Sequence, residues 1–476
     1  MEQDADTPLT RAQALAAQGR WEQAAGLYRQ WLQHVPTDAE AANGLGAALC
    51  MLGRAEDALG YFRSALEYAP GIGKAAANLG GALQSLGRWE EAAASLQQAT
   101  ARIPDHPQIW FNLGHAQHHL GRFDAAAASY DRAVRLAPAY REAWTNLGVT
   151  LRELGRLDES LAALDTALGL DPGHAVTHYN RAFVLLEKGD LKHGWKEHEW
   201  RFKAGIATPY PSPEPQWRGE AIAGKTLLIW AEQGFGDTLQ FVRFLPRLAP
   251  FGARVVLAVQ APLVRLLKGI AGAEQVVAWG TPCPHDRHAP LMSLPHVLGL
   301  NLDDIAATTA PYVPPPHSVP PRPPGPLRAG LAWAGSPSHK NDRRRSLNLG
   351  HAARLAAVPD VEWVSLQIGQ TAHPDNLAPP PARITDFHDT AALVQSLDLV
   401  VTVDTAAAHL AGAMGIPVWL LLPFAPDWRW LHDRDDSPWY PGMRLFRQPG
   451  PGDWDSVMAA VERALADASP AGLRPG

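Results

Sequence analysis

The stretch GRWEEAAASLQQATARIPDHPQIWFNLGHAQHHL, Gly87 to Leu120, is one period of a pattern that governs the first part of the chain. Its opening glycine recurs as Gly19, Gly53, Gly87, Gly121, Gly155 and Gly189, always 34 residues apart. Pro36, Pro70, Pro104, Pro138 and Pro172 keep the same interval, and acidic Glu22, Glu56, Glu90, Asp124 and Asp158 follow the glycines by three positions. Three series held in one register are not a product of chance. They predict a helix-turn-helix unit: Gly lets the chain turn sharply after the first helix, and Pro stops the second. Small residues such as Ala24, Ala58, Ala92 and Ala126 let the helices approach one another.

This pattern resembles the tetratricopeptide repeat over residues 5–204, as five full repeats and a sixth that runs into the next domain. Such repeats stack into a right-handed superhelix with a concave groove. Asn78, Asn112, Asn146 and Asn180 share one position of the first helix, and Gly44 stands there in the second repeat. A column of amides, each with donors and an acceptor, suits an extended peptide backbone. It resembles the asparagine ladder of the O-linked N-acetylglucosamine transferase repeat domain, which implies a protein or peptide acceptor in the groove. The competing reading is a repeat position that binds nothing. His115 and His119 lie i and i+4 but lack a third ligand, so they read as a solvated helix face rather than a metal site.

Composition narrows the classes. The 476 residues have room for about three domains of ordinary size. With 46% hydrophobic and 19% charged residues the chain is globular rather than disordered. Net charge is −6, and neither half is basic, which argues against nucleic acid as a partner. Cys50 and Cys283 form no disulfide framework or CxxC spacing, and MEQDADTPLTR lacks the basic start and apolar run of a signal peptide. The expectation is a cytoplasmic protein. Thr405–Pro426 is long and uncharged, but Gly412, Gly415, Pro417 and Pro423 split it into a short helix and a strand, so no transmembrane segment is expected.

The period stops after Lys203, and a Pro-rich linker over 205–223 follows. Gly219–Thr226, GEAIAGKT, matches the phosphate-loop pattern in form, yet a strand follows it where that loop needs a helix. Gly234–Leu239, GFGDTL, starts like a dinucleotide fingerprint but has Leu239 at the third glycine. Strands are expected at Leu227–Ala231, Arg254–Val259 and Gln275–Ala278, separated by helices at Asp237–Leu248 and Pro262–Lys268. Alternation resumes with strands at Arg328–Ala332, Val361–Leu366, Leu399–Val403 and Val418–Leu422. Two α/β lobes, 224–312 and 327–468, joined by a Pro-rich linker over 313–326, resemble the GT-B glycosyltransferase layout. The fold class expected is thus α plus α/β, a tetratricopeptide solenoid followed by a two-lobed GT-B domain.

Three motifs carry chemistry. In WAEQGFGDTLQFVRFLP a strand ends, two glycines turn the chain, and Asp237 heads a helix at the mouth of the cleft. Asp237 is either a cap or a base for an acceptor hydroxyl, with Gln233, Gly234 and Gly236 forming the acceptor-side loop. In LVVTVDTAAAHLAG the strand ends at Asp404, and Thr405 starts a helix. There small Ala406, Ala407 and Ala408 would let a diphosphate reach backbone amides. His409 either touches the donor or fills the wall behind the turn. In GSPSHKNDRRRS no DxD motif offers a magnesium site, and Lys340 with Arg344 are the cations proposed for the leaving diphosphate.

With these motifs in order, residues 224–467 resemble the ADP-heptose:lipopolysaccharide heptosyltransferase group, glycosyltransferase family 9. The resemblance implies a base at Asp237, a donor turn at Asp404, Thr405, Ala406 and His409, and a basic loop residue near Lys340. Ala406 stands where that group usually has Gly, and the repeat array is foreign to it, which leaves the donor sugar and the acceptor open. The segments PDWRW and SPWYP resemble those of bacterial proteins that join repeats to a transferase. The reading is a metal-independent inverting glycosyltransferase that uses a nucleotide-sugar donor and no cofactor. The alternatives are a non-catalytic scaffold with a degenerate transferase domain, and a heptosyltransferase-like enzyme acting on a surface glycan.

Overall fold

A computed structural model describes residues 7–308, 310–316, 325–337, 341–368, 372–377, 379–380 and 384–468. The chain divides after Thr177 into two compact units.

The first unit is built of paired helices: α1 (Pro8–Ala17) with α2 (Trp21–His34), α3 (Ala39–Met51) with α4 (Ala55–Tyr68), and α5 (Gly73–Ser85) with α6 (Trp89–Arg102). Then come α7 (Pro107–His119) with α8 (Phe123–Leu136) and α9 (Arg141–Glu153) with α10 (Leu157–Leu170). The periodic glycines sit at the turns inside these pairs, with φ of 75° at Gly19 and Gly53 and 70° at Gly155, where a side chain would be strained. Each periodic proline follows the end of a second helix, as Pro70 follows Tyr68, and prevents its extension.

A second glycine series lies inside the first helices. A Cβ on Gly46, Gly80, Gly114 or Gly148 would come within 2.6, 2.4, 2.9 and 2.6 Å of Phe62, Leu96, Tyr130 and Leu164 respectively. The large residue of each second helix therefore occupies the space the missing side chain leaves. Gly80→Ala overpacks that contact and is expected to cost about 1–3 kcal/mol, visible as a lower urea midpoint. An unchanged midpoint would show that Leu96 yields freely.

The second unit begins within α11 (Ala175–Glu187), which is followed by α12 (Leu191–His198). Leu186 of α11 and Leu191 and Trp195 of α12 are buried in one core with Leu227 and Ile229. The first sheet contains β1 (Thr226–Trp230), β2 (Arg254–Val259), β3 (Gln275–Ala278) and β4 (Arg287–Pro290), all parallel, in the order β3-β2-β1-β4. The second contains β5 (Leu327–Ala332), β6 (Val361–Ser365), β7 (Leu399–Val403), β8 (Val418–Leu422) and β9 (Met443–Arg447), parallel in the order β6-β5-β7-β8-β9. Strands β4 and β9 were not expected from the sequence.

The Asp237–Leu248 helix is shorter than expected. It runs Phe235–Phe241 and tightens into a 3₁₀ segment over Val242–Phe251, where Pro246 and Pro250 remove the donors an α-helix needs. The Pro262–Lys268 segment keeps only a short helix, Val264–Leu267. The phosphate-loop decoy ends on β1 with no helix, and Thr405–Pro426 splits into the Ala406–Ala413 helix and β8. Among the described residues no helix is long and apolar enough to cross a membrane.

Strand order locates the sites. In open parallel sheets ligands bind beyond the carboxyl ends of the strands, where the order reverses. These points lie between β1 and β4 and between β5 and β7. The loops leaving them are the one from Ala231 after β1, Leu291–Ser293 after β4, the one from Trp333 after β5, and Asp404–Thr405 after β7.

Candidate functional site

Asp237 is the third residue of its helix, and Gly234 is the cap. The carboxylate reaches back, its Oδ2 accepting the Gly234 N–H at 2.8 Å, while Oδ1 is ion-paired with Nη2 of Arg429. Asp237 thus closes the helix start from inside rather than heading it. The space beside Gly236 is taken by the Ala406–Ala413 helix, because a Cβ there would lie 2.8 Å from Cδ2 of His409. Gly236 makes room for His409, where the sequence suggested room for an acceptor. Gln233 is pinned through its carbonyl, which accepts Nε2 of Gln260 at 2.5 Å.

Arg429 was not singled out from the sequence. It is buried, and its Nη1 donates to Asp427 at 2.8 Å while its Nε donates to Gln240 at 2.6 Å. Its guanidinium lies over the Trp428 ring at 4.3 Å. One cation therefore joins the loop after β1 to the segment after β8.

Asp404, at the end of β7, belongs to the same field. Burial first, and then the charge of Asp427, raise its carboxyl to about 6, against the opposing pull of Trp430, Arg345 and Arg429. The Trp430 indole N–H favours the charged form without meeting hydrogen-bond geometry. Thr405 caps the Ala406–Ala413 helix in extended conformation, and the Ala408 N–H is taken by the Thr405 carbonyl at 3.1 Å. Ala406 and Ala407 supply the first-turn donors, since a helix cannot satisfy them internally. Ala408 is buried and does not join them.

His409 fills the wall. It is 5% exposed, its Nδ1 meets the Tyr440 hydroxyl at 2.9 Å, and its ring stacks on Trp430 at 5.4 Å. Burial, aided by Arg429, lowers its pKa to about 3, so it is neutral at pH 7. Lys340 lies outside the described residues. Arg344 is exposed on the short Asp342–Arg345 helix, and the cation acting on Asp404 is instead its neighbour Arg345, whose side chain is 17% exposed.

Tyr179, on α11, reaches this field as well. Burial, with the charge of Asp427, pushes its hydroxyl up to about 12, and Asp237 and Arg429 also act on it. Tyr179 of α11 is therefore electrostatically in touch with the helix start that carries Asp237.

In the first unit, Asn78 donates to Oδ1 of Asn43 at 2.9 Å, Asn112 accepts from Gln108 at 3.1 Å, and Asn146 lies against the Tyr130 hydroxyl. A Cβ on Gly44 would sit 2.5 Å from Tyr28, which is why the amide of the second repeat is displaced to Asn43. Each amide carries two donors and an acceptor, so one neighbour uses only part of it. Asn180 is on α11, in the second unit. His115 and His119 belong to an aromatic stack rather than a plain solvated face: His119 lies flat on Trp89 at 3.8 Å, and His115 meets the same ring edge-on at 5.6 Å. Among the described residues no group of three or more His, Cys, Asp or Glu could hold a metal ion.

Comparison with known proteins bears chiefly on the repeats. The tetratricopeptide repeat family matches residues 9–72, 78–141 and 120–175. Protein FlbA of Caulobacter vibrioides is 28% identical over 330 residues, which cover 60% of this chain and 54% of FlbA. The chain thus spans about half the length of that curated relative. Among solved structures, YrrB, a TPR protein with an unusual peptide-binding site, is 22% identical with a TM-score of 0.35, covering 37% of this chain and 91% of YrrB. MamA from Desulfovibrio magneticus RS-1 is 22% identical with a TM-score of 0.33, covering 37% of this chain and 98% of its own. The N-terminal helices of this chain are a tetratricopeptide repeat array, and a parallel α/β region with two sheets follows them.

Proposed function

We propose that the α/β region is a GT-B glycosyltransferase of inverting, metal-independent type, and that the repeat array presents its acceptor. The observation that supports this reading best is the run of charges Asp237, Arg429, Asp427 and Asp404, which joins loops at the carboxyl ends of β1 and β7. In this reading Asp237 takes the proton of an acceptor hydroxyl as its oxygen attacks the anomeric carbon, and the bond to the leaving diphosphate breaks. Arg429 keeps Asp427 as counter-ion when Asp237 becomes neutral, so the proton transfer leaves no bare cation. The Ala406 and Ala407 amides, with Arg345 and Lys340, take up the charge of the leaving nucleoside diphosphate. Arg345 joins Arg344 as a candidate for this role because its charge, with that of Arg429, acts on Asp404.

The acceptor is a protein or peptide held by Asn78, Asn112 and Asn146. A nucleotide screen tests the enzyme reading. UDP, ADP or GDP at 100 times its dissociation constant stabilises the folded state by about 2.7 kcal/mol, and a raised melting temperature with one of them is expected. The satisfied Asp237–Arg429 pair favours a second reading, a non-catalytic scaffold, which predicts no response to any nucleotide.

A further inference from the structure

The first sheet has its own reversal point, between β1 and β4, and a side chain from the turn after α12 reaches it. Arg201 follows α12 in the turn Glu199–Arg201 and is fully buried. Its Nη2 donates to Oε1 of Glu232, two residues past β1, and to Oγ of Ser293, three past β4, each at 2.8 Å. Its Nη1 donates to Glu199 at 2.7 Å, and Ser293 donates to the same Glu199 oxygen at 2.7 Å. Two carboxylates thus share one guanidinium in a site where the Glu232 side chain is 1% exposed. Oε2 of Glu232 is buried with no hydrogen-bond partner, and so is Nε of Arg201.

With both carboxylates ionised the cluster would bury a net negative charge, which is expensive in a low-dielectric interior. Protonating one of them removes that charge. The charged groups acting on Glu232 are Arg201 and Glu199, while Ser293 and the backbone of Met292 contribute only dipoles from the β4 side. Glu232 directly precedes Gln233, the first residue of the loop that delivers Asp237.

We propose that Glu232 is a positioning residue whose protonation braces the Ala231–Gly234 loop, and with it the helix start that carries Asp237, against Arg201 in the turn after α12. The protonated cluster is neutral and holds the loop. Ionisation leaves an unmatched buried charge that is relieved when the loop opens to water. Burial places this switch near neutrality, raising the carboxyl to about 7 in spite of Arg201. A group raised in the closed state favours closure below its ordinary value, near 4.5, and loses that contribution as pH rises to about 7. The bearing of this brace on proton transfer rests on the transferase reading. The brace itself does not.

Amide exchange of the 234–240 segment, corrected for intrinsic chemistry, tests it in the full chain. Loop opening should rise about tenfold per pH unit between 5 and 7 and level off above. Glu232→Gln, which can keep the bond to Arg201, should flatten that slope. Glu199→Gln leaves the guanidinium to Glu232 alone and should move the levelling point to lower pH. A wild-type slope that is absent, that survives in Glu232→Gln, or that stays in place in Glu199→Gln would overturn the proposal. A missing nucleotide response would overturn the transferase reading and leave this result untouched.

Discussion

On the proposed transferase chemistry, Asp237→Asn is expected to lower turnover roughly 10²- to 10⁴-fold while nucleotide affinity stays near that of the wild type, the range for loss of a positioned general base. The separation of the two effects follows from placement. Asp237 lies in the helix Phe235–Phe241 that follows β1 of the first sheet, whereas the Ala406 and Ala407 amides open the helix that follows β7 of the second. Asn keeps the side-chain size and one acceptor oxygen, enough for either the Gly234 N–H or Arg429 but not for both, so one of the two bonds is given up. Steady-state kinetics and calorimetry of the nucleotide on one preparation measure both quantities. Unchanged turnover removes Asp237 from the role of base.

Arg429→Met produces the largest loss of stability, about 3–5 kcal/mol, the cost of breaking a buried ion pair from one side. Met fills part of the volume beside Trp428, so the effect is chiefly electrostatic. Without the guanidinium, Asp237 and Asp427 lose their shared partner, and Asp404 loses one of the charges that restrain its rise. Denaturant unfolding at pH 7 measures the loss, and lowering the pH toward 5 should recover part of it as the orphaned carboxyls take up protons. A loss below about 1 kcal/mol, the value of an exposed pair, would mean that solvent reaches the cluster.

The sequence disclosed what local rules control. The 34-residue register located every turn glycine of the array, because a positive φ and a fixed interval leave their mark residue by residue. Strands β1, β2, β5, β7 and β8 were visible as apolar runs; most are buried on both faces, as parallel strands require. Strands β4 and β9 escaped because they are edge strands, RHAP and MRLFR, in which charge and proline break the run.

The site was legible in its loops and hidden in its pairings. Asp237 and Asp404 announce themselves at strand-to-helix turns, but Asp237 meets Arg429 across 192 positions, a distance no periodicity spans. The choice between Arg344 and Arg345 lies in the phase of one short helix. Glu232 stood two residues from the quoted glycines, and only burial distinguishes it from any surface carboxylate.

The place where Arg201 ends up also decides where this chain tolerates being severed. A fragment starting in the proline-rich stretch 205–223 would look tidy on paper, yet it would strand Glu232 inside the first sheet with its counter-ion amputated. The compact downstream unit starts upstream of that stretch, within α11, and takes in α12 and Arg201.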